Sequence, residues 1–242
     1  MKYIAEDGLS TRNVPASTMD SIELSAKCLY LAGIKLDTYL TTDNNLVIVK
    51  SDVKLPSSFG PISNCSYELL KKYNIGTKVK SHYINTLNQV LEVYQDNKQI
   101  IILNLIDESK NKERYIEVLK QIINNHPTDN IYVLSSNKKM LDLLKKDSIN
   151  AKIGLKMTNN NVEEWSEDYD FYVIDTNTVP VDFIKDRLLN KKEVMTNLIQ
   201  NKDELTEYFK IYTANIIDDM YIITLHPKII KDYYNNLTEN NL

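Results

Sequence analysis

Short apolar runs alternate along this chain with longer stretches in which apolar residues recur every three or four positions. The first pattern predicts buried strands and the second amphipathic helices. "YIA" (3–5) is a strand. Residues 17–31 form a helix, with Ser17 or Thr18 as N-cap and Ile22, Leu24, Ala26 and Leu29 among its apolar positions. "GIKLDTYL" (33–40) and "NLVIVK" (45–50) are strands joined by the turn-forming "TTDNN". A loop with Pro56, Gly60 and Pro61 follows, then short helices near 66–73 and 86–95. Strands are expected at 99–105, 130–136, 151–156, 170–176, 192–199 and 220–225. Helices are expected at 109–125, 137–147, 180–189, 203–212 and 227–235, with little structure between the strands at 151–156 and 170–176.

Repeated strand–helix units, with strands apolar on both faces, predict a parallel sheet covered by helices. Eight such units remain when 45–50 is taken as the return arm of a hairpin. Eight units in 242 residues predict an α/β chain folded as a single-domain (β/α)8 TIM barrel over residues 1–235, followed by a polar C-terminal tail, 236–242. An open doubly wound sheet is the structural competitor. No glycine-rich phosphate loop supports a dinucleotide or P-loop reading.

Composition narrows the function. Lys+Arg number 29 against 33 Asp+Glu, for a net charge of −4, so no basic surface for nucleic acid is expected. No run approaches the ~18 apolar residues of a membrane span, and Met1 leads into "KYIA" without a secretory leader. A cytoplasmic chain is the expectation. Cys28, placed in the apolar helix, reads as a small buried thiol, and Cys65 joins it in no motif. His82, His126 and His226 match no metal-ligand spacing.

In a barrel of this kind, chemistry sits at the C-terminal ends of the strands. Those ends carry Glu6-Asp7, Lys35/Asp37, Lys50-Ser51, Asn104, Ser135-Ser136, Lys156, Asp175, Asn197 and Leu225. Glu6, Asp7, Lys35, Asp37 and Lys50 stand where a catalyst is expected, and Asn104, Ser135, Lys156 and Asn197 are candidate ligand-binding groups.

The order of these segments resembles the glycerophosphodiester phosphodiesterase family, (β/α)8 barrels of the phosphatidylinositol-phospholipase-C-like superfamily. "IAEDG" (4–8) and "PAST" (15–18) are similar to that family's I-A-H-R-G and P-E-N-T. "GIKLDTYLTTDNNLVIVKS" (33–51) is similar to G-x-E-L-D-V-x-L-T-x-D-G-x-x-V-V-x-H-D, without a gap. "YINTLNQVLEVY" (83–94), "IILNLI" (101–106), "YVLSSNKKMLDLL" (132–144) and "YIITLHPKII" (221–230) continue the resemblance nearly to the end of the chain.

What the resemblance implies is mostly missing. It implies an acid–base pair of histidines at Glu6 and Lys50, and an arginine for the phosphate at Asp7. It implies a divalent metal, Mg or Ca, held at Lys35, Asp37 and a glutamate in the 102–107 strand, where this chain offers Asn104 or Ile106. Asp37 is the one retained ligand. Ala16, Asn197 and Leu225 replace a glutamate, an aromatic and an aspartate. Phosphodiester cleavage needs cationic stabilisation of developing charge and groups that titrate near neutrality. A normally protonated lysine at 50 and carboxylates at 6 and 7 supply neither. The expectation is a degenerate phosphoric diester hydrolase of lipid metabolism, catalytically inactive and without a metal cofactor. It would act as a binding or regulatory protein toward a protein partner, a second copy of itself or a small phosphorylated ligand. An active hydrolase with rebuilt chemistry is the alternative. Lys35 is expected to lie within salt-bridge reach of Asp37, Glu6 or Asp7, its ammonium in the place of the metal.

Overall fold

A computed structural model describes residues 1–53, 55–109, 111–126, 129–146, 148–175, 178–211 and 214–239. Among the described residues ten strands run in the order β1 (Lys2–Glu6), β2 (Leu31–Leu40), β3 (Leu46–Ile48), β4 (Asn85–Thr86), β5 (Ile100–Leu105), β6 (Ile131–Ser135), β7 (Lys152–Lys156), β8 (Phe171–Ile174), β9 (Glu193–Thr196) and β10 (Tyr221–Thr224). Eight of them pair in parallel as β1-β2-β5-β6-β7-β8-β9-β10, and β10 returns to β1 through Ala5↔Thr224. That return closes the barrel and excludes the open sheet. β3 and β4 extend β2 as an antiparallel flap, registered at Tyr39↔Val47 and Val47↔Thr86.

The helices are α1 (Met19–Ala26), α2 (Tyr67–Leu70), α3 (Leu87–Val93), α4 (Lys112–Asn125), α5 (Lys138–Lys146), α6 (Val181–Leu189), α7 (Lys202–Ile211), α8 (Ala214–Asp219) and α9 (Pro227–Glu239). Side chains alternate along each strand. One set, including Ile4, Ile102, Leu134, Phe171, Val173, Met195 and Ile223, packs as a cluster inside the barrel. The other, including Ile34, Leu36, Ile101, Leu103 and Val133, joins Leu119, Leu141, Ile184 and Leu205 of the helices. Among the described residues no helix is long and apolar enough to cross a membrane.

Phe171 fills the barrel interior because β7 offers no side chain at Gly154. A Cβ there would lie 2.3 Å from the Phe171 ring. The ring is fully buried and packs on Tyr132 at 5.1 Å between centroids. It has no room to retreat, so Gly154→Ala should cost about 1–3 kcal/mol as an overpacking substitution. A melting curve should record a loss of roughly 2–12 °C, and an unchanged midpoint would mean that the interior yields.

Several boundaries differ from the sequence expectation. Helix α1 stops at Ala26 rather than at residue 31. The Gln99 amide explains the early stop, because its Nε2 donates to the carbonyls of Ser25 (3.2 Å), Cys28 (2.9 Å) and Leu31 (3.2 Å) and draws that segment into a turn. Strand β2 therefore begins at Leu31. Cys28 lies past the helix and is half-buried, Leu24 is exposed, and Leu29 is fully exposed. Thr18, not Ser17, is the N-cap, with Ser21 completing a capping box. A 3-10 turn, Val162–Ser166, occupies the interval read as nearly empty, and α8 follows α7 where one helix was expected. The C-terminal helix continues to Glu239, into the segment read as a tail. Residues 240–242 of that tail, and Thr176 of the expected strand 170–176, lie outside the described residues.

Candidate functional site

The inward-facing ends of β1, β2, β5 and β7 bring Glu6, Lys35, Asp37, Asn104 and Lys156 to one mouth of the barrel. Register fixes these neighbours, since Glu6 pairs with Lys35 and Asp37 with Asn104 across adjacent strands. They line a cavity of about 390 Å³ together with Ser51, Asn197 and Gln200, over an apolar floor that includes Ile223.

Lys35 is the centre of this mouth. Its Nζ lies 2.6 Å from Glu6 Oε1 and 3.8 Å from Asp37 Oδ1, so the ion pair expected for it is present. Its side chain is only 8% exposed and that of Asp37 also 8%. Burial pulls the lysine pKa down, but Glu6 and then Asp37 outweigh it and hold the group above its ordinary value. Asp37 Oδ1 also accepts from Asn104 Nδ2 at 2.6 Å. Behind the site, Tyr115 donates to the Thr38 carbonyl and thereby anchors β2 against α4.

Lys156 is different. Among the described residues its ammonium has no hydrogen-bonding or ion-pair partner. Burial, followed by repulsion from Lys35, holds its pKa below the ordinary lysine value, partly offset by Asp37 and Glu6.

Asp7 belongs to the wall beneath the mouth rather than to the cavity lining. With φ of 57° it starts a turn that Gly8, at φ 77°, continues. Its backbone N–H donates to the Lys35 carbonyl, its own carbonyl accepts from Ser17 N at 2.7 Å, and Ser17 Oγ donates to Asp7 Oδ1 at 3.0 Å. Burial raises its pKa to about 7, with the charges of Glu6 and Asp37 adding to the rise.

Besides Asp7, two further expected site residues, Lys50 and Ser135, do not reach the cavity. Lys50 turns outward and pairs with exposed Asp52 at 2.7 Å, while its neighbour Ser51 reaches the lining. Ser135 is buried, and its Oγ accepts from Asn137 N at 3.0 Å at the start of α5. Gln200 was not foreseen. It lies on the loop after β9, where no periodic pattern marks an inward position.

The residues present do not fit a divalent cation. Mg²⁺ and Ca²⁺ take several hard oxygen ligands at about 2.0–2.6 Å. Here one oxygen of Glu6 is bonded to an ammonium, and Asp37 Oδ1 is shared between that ammonium and an amide. Among the described residues no three His, Cys, Asp or Glu side chains are grouped to hold a metal.

No protein-family model matches the chain, and no curated protein matches its sequence. Solved structures do match its shape. An Oleispira antarctica phosphodiesterase in complex with the product sn-glycerol-3-phosphate superposes with a TM-score of 0.78 at 20% identity, over 97% of both chains. A glycerophosphodiester phosphodiesterase from Parabacteroides distasonis gives 0.75 at 17% identity, over 100% of this chain and 98% of that one. One from Thermotoga maritima gives 0.71 at 17%, over 95% and 96%. End to end, this chain therefore has the (β/α)8 fold of the glycerophosphodiester phosphodiesterases.

Proposed function

We propose that the chain is a divergent member of the glycerophosphodiester phosphodiesterase family that binds at its barrel mouth without cleaving phosphodiesters. The observation that carries this reading is the Lys35 ammonium, 2.6 Å from Glu6 and 3.8 Å from Asp37. A fixed monovalent cation there engages both carboxylates that line the mouth. It offers neither a Lewis acid nor a metal-bound water. Glu6 is tied up as the ion-pair partner of Lys35, so its Oε1 is not free to abstract a proton from a nucleophile.

A rebuilt hydrolase is favoured by one feature, the Asp7 carboxyl that titrates at about 7, as a general acid–base should. Its position argues the other way. The residue is 3% exposed, its carboxyl is bonded to Ser17, and it is absent from the cavity lining, whereas a general base must come within hydrogen-bond reach of the proton it takes. Steady-state assays on glycerophosphocholine and glycerophosphoglycerol, with and without Mg²⁺ or Ca²⁺, test the reading. The expected rate equals the blank. Turnover in the purified protein that disappears in Asp37→Ala would refute it.

A further inference from the structure

The charges lining the mouth balance by number but not by pairing. Glu6 and Asp37 are both engaged by Lys35, which leaves Lys156 as the ammonium without a partner among the described residues. Lys156 is half-buried at the end of β7 and lines the same cavity. Its charge is disfavoured by burial and by Lys35, so an anion bound against it would relieve that cost. Beside it the exposed side chains of Ser51, Asn197 and Gln200 line the cavity and make no hydrogen bonds among the described residues. One hydroxyl and two amides can both donate to and accept from hydroxyl groups.

The same lining limits how much negative charge can enter. Two carboxylates already face the cavity, and a single unpaired ammonium opposes them. A ligand with one negative charge can sit on Lys156 at little electrostatic cost. A second negative charge on the same ligand would meet Glu6 and Asp37 in a partly dehydrated cavity with no cation left to balance it.

We infer that the mouth is a binding site for a small, singly charged anion bearing hydroxyl groups, held by Lys156 and by Ser51, Asn197 and Gln200. That chemistry is shared by a phosphodiester and by a hydroxycarboxylate. It excludes a phosphate monoester, which carries between one and a half and two negative charges near pH 7. The inference rests on the non-hydrolytic reading and specifies what the mouth would hold.

Calorimetric titration of the full chain at pH 8 decides it. The probes are glycerophosphoglycerol, glycerate, sn-glycerol 3-phosphate and glycerol. At least one of the first two should bind at least tenfold more tightly than both of the others, and which of them does so distinguishes the two sources. Lys156→Met should remove that preference without lowering the melting temperature, and Lys156→Arg should retain it. Equal or tighter binding of sn-glycerol 3-phosphate, an unaltered affinity in Lys156→Met, or no binding of any probe would overturn the inference. Cleavage of glycerophosphoglycerol during the titration, detected by phosphorus NMR, would sink the non-hydrolytic reading while leaving the Lys156 site standing.

Discussion

Replacing Lys35 by methionine should lower the melting temperature by roughly 6–20 °C at pH 7. The methionine keeps the length of the aliphatic stem and removes the ammonium. Glu6 and Asp37, with side chains 12% and 8% exposed, then lose their common counter-charge. Breaking a buried pair by removing one partner costs about 3–5 kcal/mol, and a chain of this size loses about 2–4 °C per kcal/mol. The same substitution at a wet, exposed pair would cost about 0–1 kcal/mol, so the size of the change in melting temperature separates a buried internal cation from a surface ion pair. A second arm separates a cation-shaped cluster from simple packing. Lys35→Glu should acquire stabilisation by Ca²⁺ that the unmodified chain lacks. A Lys35→Met variant that melts with the parent at low salt would contradict the internal-cation reading.

Asp7→Asn should stabilise the protein at pH 8 by about 4 kcal/mol and have little effect near pH 4. In the folded chain the carboxyl is raised from the ordinary 3.8 to about 7, chiefly by burial, and each tenfold gain in proton affinity on folding corresponds to about 1.4 kcal/mol. The sign follows from proton linkage. Between about pH 4 and 7 the folded state holds a proton at Asp7 that the unfolded state has released, so this residue makes the fold less stable as pH rises through that window. Above pH 7 the loss is complete. Asparagine removes the charge, still accepts from Ser17, and tolerates the positive φ of 57°. Comparing the two unfolding free energies from pH 4 to 8 isolates the residue, because the other carboxylates are common to both. A constant difference across that range would show that Asp7 is ionised throughout.

The barrel was legible because its evidence is repeated. Eight apolar runs, seven of them followed by a 3.6-period segment, describe a parallel barrel with no need for side-chain detail. The mouth was legible wherever strand alternation fixes direction. Glu6, Lys35, Asp37, Asn104 and Lys156 lie on strands, and register brings them together. Lys50 lies just past the end of β3, where alternation no longer aims a side chain, and Asp52 two residues later captures it. Ser135 sits one position away from inward-facing Leu134 and serves the next helix instead. The overlong α1 reading failed for another reason. Helical periodicity continues through Leu29, but three carbonyls of that segment are drawn to the Gln99 amide, some seventy positions away in the chain. No local pattern carries such a contact. Gln200 escaped because loops have no period.

The central claim, that a lysine ammonium stands in the mouth of this barrel in place of catalytic machinery, is tested most directly at one equivalent of substrate. Protein and glycerophosphocholine are mixed at equal concentration with excess Mg²⁺ or Ca²⁺ and followed by phosphorus NMR for days, so that even one cleavage per molecule registers. The diester resonance should persist undiminished in the presence of either ion. Conversion to the monoester resonance by the parent chain, absent in Asp37→Ala, would contradict the claim.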